Sequence, residues 1–299
     1  MNTLTKNRPS RLGSKSFEPF LYPFLFVVLY GSGFVGAKYG LPYSSPLSFL
    51  TLRFMIAGLL FAIIVLLLKL PIPNLKNIIH ISIAGSLTVA AFSIGVFISI
   101  DMGLSPALSA LVIALQPILV GVFASRMIGE RLQQSQWLGL IFGLIGVAVV
   151  VAHNIDTESV GVLSISMSII GLLGLTAGNL YQKRFCSEMN IITGGSIQSL
   201  ASGIICLILL VLFDEYSVEW TPQFIGALTY MTLGVSLGAL SLLYIMIRRG
   251  EVSKVASIFY LVPVSAAITA YFLYGETFDL FTLVGAVIIF IGIYLTNRG

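Results

Sequence analysis

Charge is what this chain has least of. Lys, Arg, Asp and Glu make up only 9% of its 299 residues, against about 25% in soluble domains. That is too few to cover a water-exposed surface. Two cysteines, Cys186 and Cys206, exclude a disulfide framework and a cysteine-rich metal centre. The two histidines, His80 and His153, lie near the ends of apolar runs, and no H-E-x-x-H or Asp-rich motif accompanies them. An intramembrane enzyme would need paired acids or a His cluster at membrane depth, and the sequence shows neither. A primary pump lacks its G-x-x-x-x-G-K-[ST] loop and any soluble domain to hold ATP. No Asp or Glu falls inside a long apolar run, which weighs against a carboxylate proton relay. The expectation is therefore a non-enzyme with no cofactor and no metal.

What is present is apolar bulk: 57% hydrophobic residues and a mean hydropathy of +1.01. About 20 apolar residues span a bilayer as a helix. Ten runs qualify: 20–39, 47–68, 78–100, 106–127, 136–152, 162–182, 192–213, 222–246, 254–274 and 280–296. This predicts an all-α membrane protein with ten transmembrane helices. The first run follows Lys6, Arg8, Arg11 and Lys15 and has no small-residue cleavage site behind it, so it reads as a retained helix.

With a cytoplasmic N-terminus, the inner segments collect Lys6, Arg8, Arg11, Lys15, Lys69, Lys76, Arg126, Arg131, Lys183, Arg184, Arg248, Arg249, Lys254 and Arg298, leaving only Lys38 and Arg53 of the 16 basic residues. The outer segments hold Asp101, Asp156, Glu158, Asp214, Glu215, Glu219, Glu276 and Asp279. Positive charge marks the untranslocated side, so both termini are expected inside a bacterial inner membrane. The net charge of +4 is a topology signal that needs no nucleic-acid partner. The expected partners are a small-molecule substrate and membrane lipid.

At an offset of 146, Ala110 falls on Ala256, Pro117 on Pro263, Gly129 on Gly275, Glu130 on Glu276, Gly139 on Gly285 and Gly146 on Gly292. Offsets of 147 and 145 pair Gly31 and Phe34 with Gly178 and Tyr181, and Gly58 with Gly203. The chain then divides into a cytoplasmic tail at 1–19 and two five-helix repeats at 20–152 and 160–296. Five is odd, so the second repeat enters the membrane from the opposite side. Inverted repeats are common in secondary transporters, with the site near the midplane between the halves.

Gly31, Ser32, Gly33 and Phe34 followed by Lys38, the Pro-x(11)-Gly-Glu spacing ending in Gly129-Glu130 and Gly275-Glu276, and Pro46, Leu47, Arg53 and Ala57 resemble the drug/metabolite transporter superfamily, EamA type. The resemblance runs from about Phe20 to Thr296. Tyr30 stands where many members have Trp. It implies a secondary transporter working by alternating access, with helices five and ten as scaffold and the others around a central cavity. Export of amino acids or related small polar metabolites is the leading expectation; uptake of a vitamin or nucleotide-like solute such as riboflavin is the alternative.

Candidate substrate-binding residues follow from polarity at membrane depth. Arg53 lies about 10 Å below the outer surface at 1.5 Å per residue, where a charge costs about 2.5–3.5 kcal/mol on insertion scales. Asp101 is the nearest acid in depth. Lys38 is the other cation not assigned to the inside, and the two together suit a carboxylate or phosphate. Ser32, Gln116, Asn179, Tyr181, Gln198, Tyr244 and Tyr260 join them as pocket candidates, with Tyr30 and Ser93. Pro117 and Pro263 are candidate hinges, each depriving the carbonyl four residues earlier, on Ile113 and Phe259, of its helical partner. Glu130 and Glu276 are expected to complement the helix start that follows each. The G-x-x-x-G of Gly139 and Gly143 points to close helix packing, within the chain or with a second copy in a homodimer.

Overall fold

Helix starts are written locally in the sequence. Ser45, Ser105 and Thr221 each accept a hydrogen bond from the backbone N–H three residues on, and each is followed by proline. The side-chain oxygen satisfies a donor the helix cannot, and Pro at the first position has none to lose. Asn74 and Asn190 cap two further starts in the same way.

The computed structural model describes residues 18–152, 161–250, 252–274 and 280–298. The basic tail, His153, Asp156, Glu158, Gly275, Glu276 and Asp279 lie outside the described residues. Within them the chain is helical apart from its connections and one antiparallel bridge between Ser44 and Val218. We number the helices α1 (Glu18–Gly40), α2 (Pro46–Leu67), α3 (Leu75–Asp101), α4 (Pro106–Ile113 and Gln116–Met127) and α5 (Gln134–Ala152). The second half holds α6 (Val162–Phe185), α7 (Ile191–Phe213), α8 (Pro222–Arg249), α9 (Val252–Ser257, a 3-10 turn Ile258–Leu261, then Val262–Tyr274) and α10 (Leu280–Arg298). Eight of these are long and apolar enough to cross a membrane; the apolar stretches of α5 and α10, Gln134–Val150 and Leu283–Arg298, are shorter.

The relation between the halves can be read from which glycines meet. A Cβ on Gly139 would lie 2.6 Å from the Gly292 carbonyl oxygen, and one on Gly146 would lie 2.8 Å from that of Gly285. Gly285 and Gly292 are the repeat equivalents of Gly139 and Gly146. Each helix therefore presents the same patch to the other, as a two-fold contact requires. Because the residue number rises on α5 as it falls on α10, the helices are antiparallel and the two-fold axis lies across them. That geometry is an inverted repeat. The α2–α7 contact repeats the pattern: a Cβ on Gly58 would meet Leu200, and one on Gly203 would meet Met55.

Two irregularities recur at matching positions. α3 carries a π-helical stretch at Ser86–Ala91, and α8 one at Met231–Ala239. α4 is interrupted between Ile113 and Gln116, and α9 by its 3-10 turn. At the latter, the Phe259 carbonyl, denied its partner by Pro263, accepts from Val262 N–H one residue early. Pro117 follows the break in α4, where Leu115 N–H donates to Val112 O at 3.1 Å in the same tightened pattern.

Candidate functional site

α1, α2, α3 and α8 line a partly open chamber, with about 430 Å³ of atom-free space that includes its open side. One stripe of α1 supplies Tyr30, Gly33, Phe34 and Ala37, following the three-and-four spacing of a helix face. α2 supplies Arg53, α3 supplies Thr88, Val89, Phe92, Ser93, Val96 and Phe97, and α8 supplies Met231, Val235 and Leu240. Both π-helical stretches thus reach the cavity. A π turn re-aims the side chains that follow it, and such turns are frequent at functional sites.

Arg53 is 4% exposed. Its Nε donates to Ser236 Oγ on α8 at 2.8 Å, and its guanidinium lies 4.9 Å from the Phe54 ring centroid. The expected neighbour Asp101 is exposed at the end of α3 instead, so the observed partner is a neutral hydroxyl from the other repeat. Around the guanidinium, Tyr30 stacks on Phe92 at 5.8 Å, and Phe34 meets both rings edge-on at 6.4 and 6.5 Å. Tyr30 OH and Thr88 Oγ1 are buried without a hydrogen-bond partner. Buried polar groups are normally satisfied; Thr88 Oγ1 packs against Gly178 of α6, while the Tyr30 hydroxyl is left orphaned in an aromatic chamber that also holds the buried cation.

Further spaces continue from it. One of about 200 Å³ shares Val89 and Leu240 with the chamber and is lined by Gln198, Ser236 and Tyr244. The next, about 210 Å³, shares Tyr244 and reaches Gln182 and Cys186. The last, about 1100 Å³, shares Cys186, Ser187 and Met189 and lies among the loops bearing Pro71 and Asn190 and the last turn of α6 with Arg184. Polar contacts close this end. Gln198 Nε2 donates to Gln182 Oε1 at 2.8 Å, Lys183 Nζ to the carbonyls of Ile247 and Gly250, and Arg184 to Met127 O. Glu130 accepts from Val252 N, Ser253 N and Ser253 Oγ. It does stand at a helix start, but that of α9 in the other repeat and not that of the helix following it.

The remaining site candidates scatter. Gln198 and Tyr244 line the intermediate space, with Gln198 Oε1 and Tyr244 OH unpartnered. Gln116 is fully buried with both amide atoms unpartnered, and Asn179 Oδ1 is likewise orphaned, but neither lines a described cavity. Ser32 bonds Leu29 O and the Tyr230 hydroxyl, turned from the chamber that Gly33 and Phe34 face. Lys38 is exposed and not among the chamber's lining, one residue past the Ala37 stripe. Tyr181 bonds His80 Nδ1 at 2.7 Å, beside Phe185, far along α6. Tyr260 is buried against Gly143 and donates to Leu140 O at 2.8 Å, which makes it part of the α5–α10 packing. Ser236, Thr88 and Phe92 were not singled out from the sequence. A hydroxyl on a π turn and a phenylalanine in an apolar run carry no local signal.

Among the described residues no group of His, Cys, Asp and Glu is arranged to hold a metal. Beyond the spans, the Cys186 thiol is pushed up to about 11 by burial.

Comparison with known proteins agrees with this architecture. The model of the EamA-like transporter family matches twice, over residues 19–152 and 162–298. The "Uncharacterized transporter YvbV" of Bacillus subtilis (strain 168) is 28% identical over 285 residues, covering 95% of this chain and 92% of its own. The "Probable amino-acid metabolite efflux pump" of Salmonella typhimurium is 24% identical over 286 residues, covering 92% and 93%. A crystal structure superimposes with a TM-score of 0.78 at 18% identity, covering 94% of this chain and 97% of that one, which is a likeness of fold.

Proposed function

The chain belongs to the EamA-like transporter family, a multi-pass membrane transporter, and from that premise we propose that it exports amino acids or related small polar metabolites across a bacterial inner membrane by alternating access. The observation that carries this reading is the Arg53–Ser236 contact. It joins the two repeats at the one buried cation of the chamber, so a motion of one repeat against the other changes the surroundings of the charge that holds the solute. With the basic face cytoplasmic, the described conformer is closed inside by the Gln182–Gln198, Lys183 and Glu130 contacts. The interruptions at Pro117 and Pro263 are the hinges, since a helix already broken bends at little further cost.

The efflux name of the Salmonella relative supports the substrate class. In the test, proteoliposomes preloaded with a mixture of amino acids and their derivatives are assayed for counterflow, and cells overproducing the chain are screened for solutes in the medium. Counterflow of at least one such solute is expected. Absence of any movement, with normal insertion, overturns the reading.

A further inference from the structure

Resting on the transporter reading of the same chamber, we propose that its solute is a monoanionic organic carboxylate with an apolar, ring-bearing body and no free amine, in preference to a zwitterionic amino acid. The charge of the lining decides this. Arg53 is the one charged residue among the lining side chains, and none of them is acidic. Its bonded partner, Ser236, is neutral. The chamber therefore holds a net positive charge that a monoanion neutralises and a zwitterion does not.

Hydrogen-bond stoichiometry agrees. A carboxylate has about four lone-pair sites and only accepts, while a guanidinium only donates. Tyr30 OH, buried and unpartnered on a residue of the lining, supplies one more donor. An ammonium would sit within a few ångströms of the guanidinium in a poorly solvated space, where like charges repel strongly. Tyr30, Phe34 and Phe92, packed on one another at 5.8–6.5 Å, form an aromatic wall of the same chamber as the cation. N-acylated or deaminated amino acids have this chemistry.

The experiment uses full-length protein in nanodiscs and proteoliposomes, with 3-phenyllactate, N-acetylphenylalanine, phenylalanine and phenethylamine as probes, read by calorimetric binding and by inhibition of counterflow. Both carboxylate anions are expected to bind about tenfold or more tighter than phenylalanine, with phenethylamine not binding. Arg53→Gln is expected to weaken the anions by about ten- to a hundredfold, the range of hydrogen bonds to a charged group, bringing them level with phenylalanine, while Arg53→Lys retains part of the affinity. Should Arg53→Gln not accumulate, Phe92→Ala serves: it is expected to reduce the ring-bearing anions towards the affinity of acetate. Phenylalanine binding as tightly as the anions, or anion affinity unchanged in Arg53→Gln or Phe92→Ala, overturns the inference. Amino-acid counterflow that the anions do not inhibit overturns it while leaving the exporter reading intact. If no probe binds and no solute of any class moves, both fall.

Discussion

The α5–α10 seam and the central chamber are both built across the same internal two-fold, yet they treat polar groups in opposite ways. In the seam, Tyr260 donates to Leu140 O, Gln136 Nε2 to Thr296 O, and Thr296 Oγ1 to Gly292 O. Glycines there bring backbones so close that a methyl group has no room. In and around the chamber, Tyr30 OH, Thr88 Oγ1, Thr232 Oγ1, Gln198 Oε1 and Tyr244 OH have no partner. Without water to satisfy them, unpaired groups are costly in a membrane interior. One region has its polar groups paired and its backbones locked. The other leaves polar groups unpaired and winds its helices into π turns. Packing of the first kind suits a scaffold, and the second suits a surface whose partners change during a cycle.

Substitutions can break this contrast, and the seam is where the largest effect is expected. Gly292→Leu places a side chain where even a Cβ lies 2.5 Å from Gly143 N, so overpacking is expected to cost about 3 kcal/mol or more; a thermal melt in detergent checks it, and an unchanged midpoint would dissolve the contrast. Arg53→Gln comes next. It is expected to lower transport of an anionic solute by about ten- to a hundredfold, with stability held or raised because a buried charge without a carboxylate partner is removed. Transport kinetics and the melt together separate this from misfolding.

A matched pair of hydroxyl deletions is smaller and sharper. Tyr260→Phe is expected to lower stability by about 0.5–1.5 kcal/mol with transport unchanged, while Tyr30→Phe is expected to leave the melt alone and slow transport several-fold. The reverse pattern would exchange the two regions' roles. Smallest is a chemical probe of the closed end. With its thiol at about 11, above the ordinary value, Cys186 is almost wholly protonated at pH 8, and only the thiolate reacts. Alkylation is therefore expected to be slow at pH 8 and to accelerate as pH rises towards 11, followed by mass spectrometry. Fast labelling at pH 8 would mean that this end opens readily.

How far the site was legible in sequence depended on whether a feature is chemical or geometric. Arg53 stood out because a charge in an apolar run is conspicuous at any orientation, and it lines the chamber. The glycines at an offset of 146 stood out because a missing side chain is a one-letter signal. Ser236 did not, since its role exists only because α8 of the other repeat returns to α2, 183 residues away. Lys38 was grouped with Arg53 by depth, but depth does not fix direction, and a step of one residue turns a helix by about 100°. Tyr260 was a pocket candidate by polarity at membrane depth, and its hydroxyl is spent on the scaffold.

By itself the sequence determined the membrane class, the ten apolar segments and the five-plus-five repeat. Each of these follows from transfer free energy or local backbone chemistry, which act residue by residue. The tertiary structure decided which faces look inward. In water an amphipathic stripe reveals the buried face, but here Leu50 is fully buried and Leu66 on the same α2 is 72% exposed. Lipid is as apolar as the protein core, so hydropathy could not tell them apart. Only the packing of one repeat against its inverted copy did.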